Sequence, residues 1–491
     1  MMKMKRTVSM LLLTAMLASL FASCAGDDQA NSQAQTTSAD GVTTAADAET
    51  EINYLDMLPA ADFGGQDCDI LCRESLVDEI WIEEEIGETM NDAVYRRNKA
   101  VEEKYKVVIT PVPTPGDWST QSTFIDALRG SVQAQDGAYD ISASYLAFTS
   151  TMATEGLFYN LYDIDTIDLS NVWWTQGFVE NNTLNGRLYT TIGDVSLSMW
   201  ESLFGIFFNK QLAVDYDIGD VYQTVKDGKW TLDTLQNMSK KVSGDINGDS
   251  EYTEDDLYGF ITNQNNIRVF VTSCDIPFTK RNDEGSFDFI YYGDKVVTLY
   301  ERMFSYLFDG NEVYIDWHSN NSKIFMADRA LFATATLGST ETYRQMDTDF
   351  GILPYPKYDE SQKNYISHSA DNLSVFAIPA SVTDPEFSGT ILEALSAESK
   401  QTVIPAFYDI ALKGKGTRDN DSEAMIDLIR DTVIFDFGYV HAVTINGLFQ
   451  FFGDTLVTGS NPSLASVYEK KEKQFITAFD KVLEAYNKIT E

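Results

Sequence analysis

Along the 491 residues the spacing of apolar side chains passes through three regimes. Behind a short basic head (Lys3, Lys5, Arg6), residues 10–23 form one apolar run that ends in small residues, the pattern of a secretory signal and too short to span a bilayer. Residues 25–51 are almost entirely Ala, Asp, Gln, Ser, Thr and Gly. So few large apolar groups cannot offset the entropy of ordering, which predicts disorder. From Asp67 onward, apolar runs of strand length alternate with helical periodicity. Residues 68–72 predict a short strand, 91–105 an amphipathic helix, 106–112 a β-branched strand stopped by prolines, 122–134 a helix and 139–143 a strand. Strands separated by helices of this length imply a mostly parallel, doubly wound sheet. Ligands of such sheets sit beyond the carboxyl ends of the strands, so Ser144 and Tyr145 are ligand candidates on topology alone.

The alternation repeats in the middle of the chain, with strands at 205–209, 331–336 and 350–353. An apolar strand at 373–378 opens a further α/β stretch, and a helix at 464–488 closes the chain. The expected fold is α/β, with two lobes between which the chain crosses more than once. A body of about 440 residues also exceeds what one core serves. The boundaries are a signal at 1–23, a disordered tether at 24–60, a first lobe at 61–204 that is rejoined at 354–412, and a second lobe at 205–353. Residues 413–491 belong to the second lobe and its C-terminal helices.

Cys24 stands where the signal ends and the tether begins. A cleavable signal, a cysteine at the cut and a disordered leash resemble a bacterial lipoprotein, with Phe21 in place of the usual Leu three positions before the cysteine. That resemblance implies lipid on Cys24 and a place on the extracytoplasmic face of the cell membrane. Removing the signal takes away three basic residues and leaves 33 basic against 75 acidic, a formal charge of −42. Nucleic acid is excluded as a partner class, and anionic lipid would repel the body unless a covalent anchor held it. Cys68 and Cys72 on one strand are about 13 Å apart, beyond the reach of a disulfide, and have no zinc-ligand neighbours. With Cys274 they are expected to be buried free thiols.

The sharpest local motif runs from Asp245 to Asp256. Asp245, Asn247, Asp249, Glu251 and Asp256 place oxygen donors at the spacing of an EF-hand calcium loop, with Ser250 at the position usually held by glycine and an aspartate at the twelfth. A structural Ca2+ stapling this insert is the expected cofactor, against an Asx-rich surface turn. Nucleophile elbows, zinc-protease helices and phosphate loops are absent, and His318, His368 and His441 lack ligand spacing. Of the aromatic residues, Tyr145, Trp173, Trp174, Trp200 and Tyr439 lie among small polar residues where topology expects a cleft, and an aromatic face beside hydroxyls and carboxylates suits a sugar.

At this point five segments in order are similar to the carbohydrate-binding solute-binding proteins of ABC importers, the group that includes maltose-binding protein. They are residues 156–161 (Gly-Leu-Phe-Tyr-Asn-Leu); 186–189 (Gly-Arg-Leu-Tyr) followed by Phe207, Phe208, Asn209 and Lys210; 228–235, around Trp230; 325–332, with Asp328 where glycine is usual; and 350–357, with Pro354 and Pro356. The resemblance implies two lobes that close on a solute like a hinged clamp, no catalysis, and a monomer that delivers its solute to ABC permease subunits. By regional correspondence it implies ligand contacts at Asp194 and Ser196 before the crossing, at Ser339, Thr340 and Glu341 after the strand 331–336, and at Tyr439, with Trp174, Trp200, His368 and Asp371 as further candidates. A receptor for peptides or another solute, or a surface-tethered glycoside hydrolase, are the alternatives.

Overall fold

The computed structural model describes residues 53–316, 321–413, 420–459 and 462–489, so Cys24, the signal and His318 lie outside the described residues. Among the described residues the eleven strands are β1 (Gln66–Arg73), β2 (Val107–Thr114), β3 (Ile141–Tyr145), β4 (Phe204–Asn209), β5 (Tyr258–Asn263), β6 (Thr279–Arg281), β7 (Phe287–Phe289), β8 (Val313–Asp316), β9 (Ala330–Thr336), β10 (Phe350–Leu353) and β11 (Ser374–Ala377). They make a four-stranded sheet in the order β11-β3-β1-β2, a five-stranded sheet in the order β10-β4-β9-β5-β8, and a β6-β7 hairpin. β2, β1 and β3 run parallel, as do β9, β5 and β8. β11 is antiparallel to β3, and β4 is antiparallel to both β9 and β10. The fold is thus the expected α/β architecture of two mostly parallel sheets flanked by helices, with a helical C-terminus. The antiparallel members, β4 and β11, are the strands on which the chain enters one sheet from the other.

Periodicity explains why these segments are strands. On β1, Cys68, Ile70 and Cys72 point into the main core while Leu71 points to a second cluster with Phe124, Leu128 and Ala377, so helices cover both faces of the sheet. Cys68, Cys72 and Cys274 are free and buried. β4 is buried along its whole length, and no alternation survives in its sequence.

Three expectations need correction. The tether does not reach residue 60. Asn53 Oδ1 accepts from Asp56 N (3.1 Å) to start a turn at Tyr54–Met57, Leu55 is buried with Tyr54 and Leu58 packed against the core beside it, and Lys104 Nζ donates to the carbonyls of Leu55 and Leu58, so three large apolar side chains and one lysine fasten this stretch to the body. β2 runs through Pro111 and Pro113 instead of stopping there. It is an edge strand paired only with β1, and a proline whose missing N–H would face away from the partner costs no ladder bond. The closing helix is two helices, Leu464–Tyr468 and Glu472–Lys488, and the second buries Phe475, Phe479 and Val482. It does not serve the second sheet alone: Tyr486 and Ile489 pack on the cluster beside β1, and Tyr486 OH bonds His441 Nε2 at 2.9 Å.

Candidate functional site

A parallel sheet gathers the loops after its strands along one edge. Here the carboxyl edges of both sheets face one cleft of about 660 Å3. From the first sheet come Leu76 after β1, Trp118 after β2, Tyr145 at the end of β3, and Asp371 and Asn372 before β11. From the second come Phe204 at the start of β4, Asn265, Asn266 and Arg268 after β5, and Thr336 and Gly338 at the end of β9. Because β4 and β11 run against their neighbours, their amino ends lie at this edge. Ser198, Glu201 and Ser202 from the connection into β4, and Phe449 and Gln450 from the helix Leu448–Val457, complete the wall.

One wall is aromatic. Trp118 is 54 % exposed, with its ring centroid 5.1 Å from Phe148 and 6.5 Å from Tyr145, and Tyr145 meets Phe148 edge-on at 5.2 Å. The Arg73 guanidinium lies 4.6 Å from the Tyr145 ring centroid and donates to the Asn372 carbonyl, so it braces the Tyr145 ring and the loop before β11 together. The opposite wall is polar. Asn263 Oδ1 accepts from the backbone N–H groups of both Asn265 and Asn266 at 2.9 Å, turning the chain sharply after β5. Asn266 Nδ2 donates to the Thr334 carbonyl at 2.9 Å. Arg268 donates to Asn265 Oδ1 (2.7 Å), pairs with Asp454 (3.6 Å) and lies over Phe449 (5.5 Å). Gln450 Oε1 is buried without a hydrogen-bond partner.

Burial sets the charge states. It raises the Asp371 carboxyl, with Arg268 pulling the other way. Glu201 faces the water of the cleft but has protein around most of its carboxyl. Desolvation first, and then the charges of Glu79 and Glu341, push it up to about 7.

Of the residues singled out in the sequence, Tyr145 and Asp371 line this cleft, and Thr340 and Glu341 line a cavity that adjoins it, with Ser339 beside them. The others are held elsewhere. Ser144 Oγ lies 2.8 Å from Thr149 Oγ1 behind β3, and Ser196 Oγ donates to the Ser374 carbonyl. Trp174 Nε1 donates to Glu393 Oε2 at 3.0 Å, and a Cβ at Gly193 would stand 2.6 Å from the Trp174 ring. Asp194 pairs with Lys400 at 3.3 Å. Trp200 packs against Phe407 and Tyr408, and Tyr439 OH donates to the Ser369 carbonyl. His368, 1 % exposed, lies under the cleft floor between Tyr439 and Phe449 (centroids 4.2 and 4.8 Å) and stacks on Phe204. Burial and then Arg268 lower its pKa to about 3. Trp118, Arg268, Asn265, Asn266, Glu201 and Gln450 also line the cleft and are not among the residues expected from the sequence. The polar run 263–266 directly after an apolar strand was the one available signal.

In the loop at 245–256, Asp245 accepts from the N–H groups of Gly248 (2.6 Å) and Ser250 (2.7 Å). Asp256 accepts from those of Ile246 (3.1 Å) and Thr253 (2.8 Å), and Asn247 and Asp249 each accept from the residue two positions on. Among the described residues no three carboxylate, histidine or cysteine groups converge as a metal site. No described helix is long and apolar enough to cross a membrane.

No protein-family model and no curated protein matches the sequence. Solved structures do match in three dimensions. A cyclo/maltodextrin-binding protein complexed with maltotetraose is 13 % identical with a TM-score of 0.54, over 86 % of this chain and 97 % of that one. UspC of M. tuberculosis is 12 % identical with a TM-score of 0.56, over 84 % and 100 %. The ABC substrate-binding protein Lmo0181 from Listeria monocytogenes, in complex with cycloalternan, is 12 % identical with a TM-score of 0.52, over 86 % and 99 %. With almost the whole of each of these chains matched and two sheets facing one cleft, this chain has the fold of the solute-binding proteins of ABC transporters.

Proposed function

We propose that the protein is a solute-binding receptor of an ABC importer. It takes a sugar or oligosaccharide into the cleft by hinge closure and passes it to the permease, tethered to the extracytoplasmic face of the membrane by lipid on Cys24. One observation carries this reading: the carboxyl edges of two sheets meet at a cleft with an aromatic step on one side and amide, guanidinium and carboxylate groups on the other. A pyranose has an apolar C–H face and a rim of hydroxyls, so it uses both walls at once. The maltotetraose and cycloalternan in the matched structures support the same ligand class. Capture without turnover accords with a fold shared with substrate-binding proteins. The chain passes between the sheets before β4 and again before β11. Such linkers are where hinge closure would occur.

Calorimetric titration of the mature chain with maltotetraose, isomeric glucose oligomers and short peptides tests the proposal. Heat is expected with at least one sugar series. No heat with any sugar, beside tight binding of a peptide, would overturn the carbohydrate reading. Loss of membrane fractionation in Cys24→Ala tests the anchor.

A further inference from the structure

The cleft does not end at Glu201. A second cavity of about 410 Å3 opens from it, and the two share Leu76, Ser198, Glu201 and Gly338. Its walls carry five carboxylates, Asp78, Glu79, Glu88, Glu201 and Glu341, against one guanidinium, Arg344, already 3.4 Å from Glu341. Arg73 and Arg97 act on Glu79 from behind the wall, but both are engaged. Arg73 pairs with Asp117 and donates to the Asn372 carbonyl, and Arg97 donates to the carbonyls of Glu79 and Ile80. Counting both, five carboxyl groups face three guanidinium groups.

Glu79 adds an independent observation. It is 4 % exposed, its Oε2 accepts from Ser198 N at 2.6 Å, and its Oε1 has no donor in hydrogen-bond geometry; burial raises the carboxyl, and the hydroxyls of Ser198 and Ser374 with the charge of Arg73 offset only part of that rise. A buried carboxylate oxygen without a well-placed donor is costly, and more so beside Glu201, whose own carboxyl is raised first by burial and then by the charges of Glu79 and Glu341. Hydroxyl groups would be served as well by amide or carbonyl acceptors. Carboxylates held together against their own repulsion favour a cation, and an ammonium group brings up to three donors along with the charge.

We propose that this second cavity is a subsite for a protonated amine: a saccharide lying in the first cavity extends past Glu201 and presents an ammonium group to Glu79, Glu201 and Glu341. The assignment rests on the sugar-binding reading above and narrows it to amine-bearing saccharides.

The test is calorimetric titration of the full mature chain with β-1,4-linked glucosamine oligomers, their N-acetylated counterparts and glucose oligomers of the same linkage and length. The amine form is expected to bind at least about tenfold more tightly than the acetylated one. That ratio is expected to fall toward one in Glu341→Gln and in Asp78→Asn, two exposed positions whose folding is verified by thermal melting. Equal binding of the three series overturns the amine subsite and leaves the sugar reading standing. A preference that survives in both variants overturns its placement in this cavity. No heat with any saccharide overturns both readings.

Discussion

A tryptophan half in water beside a tyrosine, and one that donates its indole N–H to a buried glutamate, look alike in a sequence. Trp118 and Trp174 are that pair here. Truncating the exposed one removes a stacking face but little core. Trp118→Ala is expected to weaken sugar binding about tenfold or more while the melting temperature hardly moves, as read by titration and thermal denaturation. A large fall in stability with unchanged affinity would place Trp118 in the core instead. His368 makes the opposite case, with both ring nitrogens buried and unpartnered among Phe204, Tyr439 and Phe449. An apolar ring of similar size satisfies that surrounding better, so His368→Phe is expected to raise unfolding stability by about 1 kcal/mol at neutral pH in denaturant titration. Destabilisation would mean the nitrogens have partners. Tyr145 was legible because it ends a strand at the ligand-bearing edge. Trp200 and Tyr439 were not separable from it, since their burial is decided by Phe407 and Tyr408 for the one and by His368, Ser369 and Phe449 for the other, which no local pattern links to them.

Strands and helices with strong periodicity stand where their sequences put them: β1, β3, β9, β10, β11 and the helices Thr89–Tyr105 and Gln121–Ala134. β5 and β8 were not legible. β5 begins with Tyr258 and Gly259 and ends in polar residues, and it becomes a strand because β9 and β8 pair with it. The insert at 245–256 is read from its own spacing, and its backbone bonds are those a tight turn makes with or without a cation. We keep calcium there as a proposal resting on the spacing of Asp245, Asn247, Asp249, Glu251 and Asp256. Millimolar calcium is then expected to raise the melting temperature, and Asp249→Ala to remove the rise; identical melting curves with and without calcium discard it.

At the scale of the whole molecule, two lobes could be expected because alternating strands and helices over so many residues admit few other solutions. The cleft could not, because its lining comes from segments scattered from Leu76 to Gln450 that no local pattern connects. Its excess of acid, spread over surface and interior, has a consequence for stability. Burial raises Asp140, Asp194 and Asp436 to about 6, and Glu201, Glu393 and Glu398 to about 7. For each, the unfolded chain gives up its proton at the ordinary carboxylate value while the native chain still holds it. Stability therefore falls as pH rises from about 4 through the raised values. Buried His368 and His441, lowered to about 3 and about 4, act in the opposite sense, adding stability as pH rises toward 6.5. Six groups outnumber two, and the histidine contribution levels off above about 6.5, where Glu393 and Glu398 are still titrating. Glu201, open to the cleft, contributes least because water screens it. The formal charge of −39 acts in the same direction, since acidification relieves self-repulsion. Melting temperature is thus expected to be several degrees higher near pH 5 than at pH 7.5, with a shallower slope in Glu398→Gln. A melting temperature that climbs steadily from pH 5 to 7.5 would mean that these buried carboxylates are ionised in the native protein and compensated by partners.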